Sequence, residues 1–199
     1  MNRGDITELH YITAIENLPS ILKRGLLSHQ WVSKILHRSV AMEEIQERRE
    51  RKIIVSTGRF LHEYVNLYFH ARNPMMYKRK HLHHELCVIR ISTGVLDMPG
   101  AVIADQNASS GYVRFHPSPA GLAYLDTAMV FAEDWRHPGN PAAYWNHKAV
   151  KCAEVLVPDN VGAEYITGAY ISCAQARQAV AQIAPTLALT IDGHLFFLV

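Results

Sequence analysis

The chain has few of the features that mark membrane-bound and disulfide-stapled proteins. No apolar run is long enough to cross a bilayer, and no charged-then-apolar leader or lipidation motif is visible. Its three cysteines, Cys87, Cys152 and Cys173, are scattered in apolar or small-residue surroundings, which favours buried reduced thiols over a disulfide framework. We therefore expect a soluble cytoplasmic protein that has no membrane partner.

The chain also lacks the common signatures of hydrolases, nucleotide-binding proteins and metalloenzymes. It has no G-x-S-x-G elbow, no glycine-rich phosphate loop, no G-x-G-x-x-G fingerprint, and neither H-E-x-x-H nor C-x-x-C. The formal charge of +2 is close to neutral, so bulk electrostatics does not indicate a nucleic-acid partner. If the protein uses a nucleotide, it must bind it on a different fold.

Length and pattern predict one α+β domain over residues 1–199. A chain with 49% hydrophobic residues can bury a substantial core, and no Pro/Gly/Ser-rich linker divides it. Short strands outnumber helices and do not alternate with them regularly, which is typical of α+β proteins. We predict strands at residues 8–13, 64–70, 86–91, 153–157 and 165–171, helices at 17–24, 40–52 and 172–183, an irregular loop at 135–147, and a hairpin turn at Asp192-Gly193.

Glu154 is the strongest candidate for chemistry. It lies within the apolar segment 153–157, and an ionised group among apolar neighbours is costly unless it has a partner or a function. The alternation of the strand is also compatible with an outward position, in which Cys152 and Glu154 face solvent. The sequence leaves these two interpretations equal.

Arg49 is unusual because it follows Ile45 by four residues and so shares the buried side of the predicted helix. A surface arginine paired with Glu47 or Glu50 is the alternative, and Arg48 beside it is expected to be the more exposed of the two. His10 and Tyr11 are adjacent on one strand, so one faces the core and the other faces away.

Basic and histidine-rich runs are open to two interpretations. Such runs are usually solvated, although two of them flanking one aromatic strand make a polyanion groove plausible. The run His81-x-His83-His84-Glu85 could bind a divalent metal, but it lies among lysines and lacks fixed ligand spacing, so we favour a solvated loop and expect no metal.

Taken in order, several segments resemble the DarT family of DNA ADP-ribosyltransferase toxins. The matching parts are Ile12-Thr13, Ile15-x-Asn17-Leu18, Ile21-Leu22 with Gly25, Ser39-Val40-Ala41, Ile45-Gln46-Glu47-Arg48-Arg49, His62-x-Tyr64-Val65, Tyr68-Phe69, Arg72-x-Pro74-Met75-Met76-Tyr77 and Ala153-Glu154-x-Leu156-Val157. The resemblance covers most of the chain and is denser in its first half. Jointly these motifs are specific.

The resemblance implies an ADP-ribosyltransferase-like fold, with a split antiparallel sheet and flanking helices. It further implies NAD as co-substrate, single-stranded DNA as acceptor, and a cognate antitoxin that is an ADP-ribosyl hydrolase. Glu154 matches the catalytic glutamate of the family, and Arg49 matches its essential arginine. We assign to the NAD site the residues His10, Tyr11, Thr13, Asn17 and Leu18. We assign to the acceptor site Tyr64, Tyr68, His70 and Arg72.

Two departures concern the modified base. Thymine-modifying members carry His directly before Ile-Thr, where this chain has Tyr11, and Gln before Ala-Glu, where it has Cys152. The run Tyr64-Val65-Asn66-Leu67-Tyr68-Phe69 looks more like the guanine-modifying branch. We therefore favour guanine over thymine. The rivals are a transferase acting on RNA or protein and a non-catalytic nucleic-acid-binding domain.

Overall fold

Twelve β-strands and seven α-helices form the part of the chain that the computed structural model describes, residues 1–198. The strands are β1 (Leu9–Ala14), β2 (Leu26–Leu27), β3 (Ile53–Ile54), β4 (Arg59–Phe60), β5 (Tyr64–Tyr68), β6 (Leu86–Ile91), β7 (Val102–Ala104), β8 (Phe115–Pro117), β9 (Glu154–Pro158), β10 (Asn160–Val161), β11 (Ile166–Ile171) and β12 (Leu189–Ile191). The helices are α1 (Leu18–Arg24), α2 (His29–Val32), α3 (Glu43–Glu50), α4 (Pro74–Arg79), α5 (Thr127–Phe131), α6 (Pro141–Val150) and α7 (Ala174–Ile183). None of these helices, within residues 1–198, is long and apolar enough to cross a membrane.

An eight-stranded sheet organises the described residues, in the order β12-β11-β6-β1-β5-β9-β7-β8. All neighbours run antiparallel except β11 and β12, which are parallel. The remaining strands form two small ribbons, β2 with β10 and β3 with β4. The predicted α+β class is confirmed.

The sheet is split between β1 and β5. These two strands share a single paired position, His10 opposite Tyr68, whereas β1 pairs with β6 at six positions and β5 pairs with β9 at five. Beyond that one pair β1 and β5 separate, and each is held by its other neighbour. The split antiparallel sheet predicted from the family resemblance is confirmed.

The strands alternate between two buried faces. On β9, Val155 and Val157 pack into the main core, which also takes the apolar sides of α1 and α7. Leu156, on the opposite face, packs against Tyr64 and Ala104 in a smaller cluster. Because Glu154 is two residues from Leu156, its side chain leaves the sheet on that second face.

Three local predictions are wrong. The loop predicted at 135–147 becomes α6 from Pro141 onwards, because proline is tolerated in a first helical turn and Asn140 caps it by accepting the N–H of Ala143 at 3.0 Å. The helix predicted at 40–52 is limited to α3. The hairpin at Asp192-Gly193 is absent from the described chain, since β12 pairs parallel with β11 after α7 and a 3-10 turn follows at Gly193–Phe196.

Candidate active site

Glu154 forms a buried ion pair with Arg49. Arg49 Nη1 lies 3.0 Å from Glu154 Oε2 and 3.3 Å from Oε1. Glu154 is 0% exposed and Arg49 is 5% exposed. The outward position that the sequence left open for Glu154 is therefore excluded. Neither charge meets bulk water, so each depends on the other for its stability in the fold.

Helix α3 presents Arg49 because most of its other positions are polar and face solvent. Glu43 and Glu44 stand in the first turn, where negative charge suits the helix dipole, and Arg48 and Arg49 stand in the last. Arg49 is the buried residue of this helix, whereas Arg48 is exposed. The prediction that Arg49 lies on the inner side and Arg48 on the outer side agrees with these positions.

A backbone N–H is the second partner of the Glu154 carboxylate. Ala108 N donates to Glu154 Oε1 at 3.1 Å. The preceding Asn107 fixes this loop: its side-chain oxygen accepts from Ser109 N at 2.9 Å and from Ser109 Oγ at 2.7 Å, and its own N–H donates to Ala149 O at 2.9 Å. A donor held in this way keeps the carboxylate in one orientation without cost when a ligand binds.

The ion pair lies on the wall of a cavity of about 260 Å³. Among the described residues, the charged side chains that line it are Arg38, Arg49, Lys78, Lys148 and Glu154. Arg49 is paired with Glu154 and Arg38 with Glu85, so Lys78 and Lys148 supply the unbalanced positive charge of this lining. Positive charge at a cavity favours a polyanionic ligand such as a dinucleotide diphosphate or a nucleic-acid backbone. In residues 1–198 no group of three or more His, Cys, Asp or Glu side chains is arranged to hold a metal ion.

The first strand contributes Tyr11 and Thr13 to the cavity, and the following turn contributes Asn17. Asn17 Nδ2 donates to Thr13 Oγ1 at 3.1 Å and to Arg38 O at 2.9 Å, while Arg38 N donates back to Asn17 Oδ1 at 2.9 Å. Asn17 thus fastens the chain at Arg38 over the end of β1. Burial raises the pKa of Tyr11, against the opposing effect of the nearby Arg49.

His10 and Leu18 lie outside the cavity, although the sequence assigned both to it. His10 Nε2 lies 3.2 Å from Glu8 Oε1, and its ring lies 6.1 Å from that of Tyr170 on the far half of the sheet. Leu18, the first residue of α1, is packed in the main hydrophobic core. Of the two residues on β1 whose orientation the sequence could not decide, Tyr11 is the one at the cavity.

Tyr64 and Tyr68 line the cavity, but both are buried. Tyr64 donates its hydroxyl to Thr57 Oγ1 at 2.9 Å, which fixes the ring. Burial and the nearby Glu154 carboxylate hold the pKa of Tyr68 well above its usual value, so its hydroxyl keeps its proton. Both rings form part of the cavity wall, and neither is exposed enough to stack on a base.

His70 and Arg72 lie outside the cavity and belong to a separate polar network. Lys151 Nζ lies 2.5 Å from His70 Nδ1 and donates to Val130 O at 2.8 Å. Burial, with Lys151 beside it, lowers the pKa of His70 to about 3, so the imidazole is neutral and can accept that bond. Arg72 pairs with Glu133 at 3.1 Å. This placement gives both residues internal partners.

Several polar residues at the cavity had no role assigned from the sequence. The rings of His29 and His62 are in contact, with centroids 4.1 Å apart and planes tilted by 37°, and His62 Nε2 lies 3.1 Å from Gln46 Oε1. Burial, with His29 and Arg49 nearby, lowers the pKa of His62 to about 4. Gln46 precedes Arg49 by three residues, so this contact braces the face of α3 that carries the arginine. Gln46 and His62 both occur in the segments that resemble the DarT family, and this was the signal by which the sequence could have identified them.

Comparison with known proteins gives the family. The family model described as "ssDNA thymidine ADP-ribosyltransferase, DarT" matches residues 10–195. The chain belongs to the DarT family. A DNA ADP-ribosyl transferase–DNA ADP-ribosyl glycohydrolase fusion protein of Thermosipho africanus is 29% identical over 173 residues, which is 83% of this chain and 42% of the relative. The chain thus spans less than half the length of that DarT relative.

Two solved DarT structures share the fold. Thermosipho africanus DarTG in complex with ADP-ribose matches with a TM-score of 0.83 and 27% identity over 96% of this chain and 51% of that one. Thermus sp. 2.9 DarT in complex with ADP-ribosylated single-stranded DNA matches with a TM-score of 0.83 and 25% identity over 97% of both chains. The ADP-ribosyltransferase-like fold and the DarT family that the sequence predicted are confirmed.

Proposed function

We propose that this chain transfers ADP-ribose from NAD onto a base of single-stranded DNA. The observation that carries the proposal is the buried Arg49–Glu154 pair on the wall of a cation-lined cavity. A buried carboxyl group that is paired with a guanidinium group suits a reaction in which a sugar ring gains positive charge. The DarT relatives in complex with ADP-ribose and with ADP-ribosylated DNA support the same assignment.

The reaction separates into bond breaking and bond making. When the bond between the ribose C1′ and the nicotinamide nitrogen breaks, its electron pair leaves with nicotinamide and the ribose becomes oxocarbenium-like. Glu154 stabilises that charge, and Arg49 and the Ala108 N–H hold the carboxylate in place. A nitrogen of the acceptor base then bonds to C1′ and loses a proton, and in this proposal Glu154 accepts that proton.

Residues at the cavity are assigned by what they can donate. Tyr11, Thr13 and Asn17 are the NAD-site residues of the proposal, because they line the cavity at the split between β1 and β5. Lys78 is assigned to the diphosphate, since within residues 1–198 it makes no ion pair, whereas Arg49 is paired with Glu154 and Arg38 with Glu85.

The modified base we propose is guanine, with thymine as the alternative. The guanine assignment rests on the resemblance of the segment 64–69 to that branch, whereas the description of the matching family model names thymidine. Incubation with labelled NAD and each of the four homopolymeric oligodeoxynucleotides separates the two. Label on oligo-dG supports guanine, label on oligo-dT supports thymine, and label on RNA or on protein alone overturns the DNA proposal.

Glu154→Gln tests the catalytic assignment, with Arg48→Ala as matched control from the exposed side of α3. We expect Glu154→Gln to lose labelling by about 10²–10⁴-fold while remaining folded, the range for a lost proton-transfer group. Arg48→Ala should label as the wild type does. Unchanged labelling by Glu154→Gln would remove this carboxylate from the mechanism.

We further propose that the chain acts as a toxin in the cytoplasm and that an ADP-ribosyl hydrolase is its antitoxin. The Thermosipho relative joins a transferase to a DNA ADP-ribosyl glycohydrolase in one chain, which supports this pairing. The free thiols of Cys87 and Cys152 are compatible with a reducing compartment. Expression should arrest growth, and either Glu154→Gln or co-expression of such a hydrolase should relieve the arrest. Continued arrest under both conditions would contradict the proposal.

A further inference from the structure

Helix α6 leads directly to the catalytic strand and is fixed on one side. Its buried His147 donates from Nε2 to Met129 O at 3.1 Å, and His147 Nδ1 lies 2.9 Å from His137 Nε2. The backbone of Asn107 is bonded to Ala149 O, so the same helix also holds the loop that contacts Glu154. The orientation of α6 relative to the catalytic carboxylate is therefore set.

Trp145 projects from the solvent side of this fixed helix. It is 62% exposed, two residues before the buried His147. Its ring lies 5.1 Å from that of Tyr144, at 70°. A single exposed aromatic residue is common on protein surfaces. What distinguishes this one is its link to the cavity.

Lys148 connects the aromatic pair with the cavity. It lines the cavity, and its Nζ lies over the ring of Trp145 at 4.4 Å from the centroid. The same ammonium group donates to Tyr144 Oη at 3.3 Å. One side chain thus separates an exposed indole from the space that contains Glu154.

A second lysine–aromatic contact lies beyond the Glu154 loop. Strand register places Ala104 opposite both Glu154 and Phe115, so Phe115 is two strands from Glu154 on the same face of the sheet. Lys52 Nζ lies 5.7 Å from the centroid of the Phe115 ring and donates to Ser110 O. The described surface thus holds one lysine–aromatic contact on α6, before the strand of Glu154, and another at β8, two strands away from it.

We propose that Trp145 is a stacking platform for a base of the acceptor strand next to the modified one. Single-stranded DNA presents a π-face and a phosphate at each nucleotide, and a ring beside an ammonium group matches that repeat. The indole on its fixed helix holds the neighbouring base, so the reacting base is directed towards Glu154. This inference rests on the proposed function and names a residue that selects the acceptor.

The test uses Trp145→Ala and Trp145→Phe, with Trp31→Ala as control. Trp31 is also exposed (45%) and also carries a lysine three residues later, with Lys34 Nζ 4.2 Å from its ring centroid. Neither tryptophan lines the cavity, but Lys148 beside Trp145 does line it, whereas Lys34 beside Trp31 does not. We expect Trp145→Ala to weaken binding of a fluorescent oligodeoxynucleotide about 5- to 150-fold, the ratio that corresponds to one lost base stack. Trp145→Phe should retain most of the affinity.

Kinetics distinguish the subsite from the reaction itself. Trp145→Ala should raise the KM for the oligonucleotide and leave the KM for NAD unchanged. If the wild type modifies DNA but Trp145→Ala and Trp31→Ala have equal effects, the proposed subsite is wrong and the proposed function still stands. Wild type that binds DNA at Trp145 but transfers nothing would overturn the proposed function alone. Wild type that binds no oligonucleotide would overturn both.

Discussion

Replacing Arg49 and Glu154 together should cost less folding free energy than replacing either residue alone. Arg49 and Glu154 are both buried, and their closest atoms are 3.0 Å apart. Glu154→Ala leaves a buried guanidinium group without a partner, a change that costs about 3–5 kcal/mol. For a chain of 199 residues this corresponds to a fall in Tm of about 6–20 °C. Glu154→Gln keeps an oxygen for the Ala108 N–H but also removes the countercharge of Arg49, so it should cost about 3 kcal/mol, the lower end of this range.

The double variant Arg49→Met with Glu154→Leu is the decisive one. Replacing a buried ion pair by apolar side chains of similar volume is often neutral or stabilising, so we expect its free energy of unfolding to lie within about 1 kcal/mol of wild type. Urea unfolding followed by far-UV circular dichroism measures this. Arg48→Ala is the control and should cost less than about 0.5 kcal/mol.

Stability and activity should respond differently across this series. The double variant should be as folded as wild type and yet transfer no ADP-ribose, because it lacks both the carboxylate and the guanidinium. The double variant could instead lose as much stability as Arg49→Met alone and Glu154→Leu alone added together. The two groups would then act independently. The reasoning from a buried pair would then be wrong.

Three further changes test the walls of the cavity. Asn17→Ala should raise the KM for NAD about 10-fold or more, because it removes the bonds that hold the chain at Arg38 over β1. Asn107→Ala should lower kcat more than it raises KM, because it loosens the loop whose N–H contacts Glu154. Stability should fall as the pH drops from 6.5 towards 4, because the unfolded chain protonates His62 first while its folded pKa is about 4. His62→Gln should flatten that part of the curve.

Each of these changes has an outcome that contradicts it. An unchanged KM for NAD in Asn17→Ala would show that the chain at Arg38 is held by other contacts. Equal effects of Asn107→Ala on kcat and on thermal stability would indicate a structural role only. An unaltered stability profile between pH 6.5 and 4 in His62→Gln would assign the acid sensitivity to other groups.

Arg49 and Glu154, the pair that we propose to be catalytic, could be singled out from the sequence because each departs from the pattern around it. Glu154 is a carboxylate in an apolar strand, and Arg49 shares the helix face of Ile45. Periodicity favoured the buried side for Arg49, but it left Glu154 equally compatible with an inward and an outward position. What periodicity could not give was their contact, since they are separated by 105 positions in the chain and only the sheet and α3 together place them side by side.

The remainder of the site depended on information that one sequence does not contain. His10 and Tyr11 are both amphipathic, so alternation could state that they face opposite ways but not which faces the cavity. The Ala108 donor is a backbone group, and side-chain patterns do not report it. Helix α6 was missed because Pro138, Gly139 and Pro141 indicated a loop. The position of Lys148 at the cavity was missed for the same reason.

The single paired position between β1 and β5, His10 opposite Tyr68, leaves peptide groups of β1 available to a ligand. In an unbroken sheet the main-chain amides and carbonyls of β1 would all be consumed by neighbouring strands, whereas here one rim of the strand is left open beside the cavity. A ligand can form hydrogen bonds with these peptide groups, which remain after any side-chain substitution except one to proline. Main-chain binding at β1 would therefore add to the contacts of side chains such as Tyr11 without depending on them.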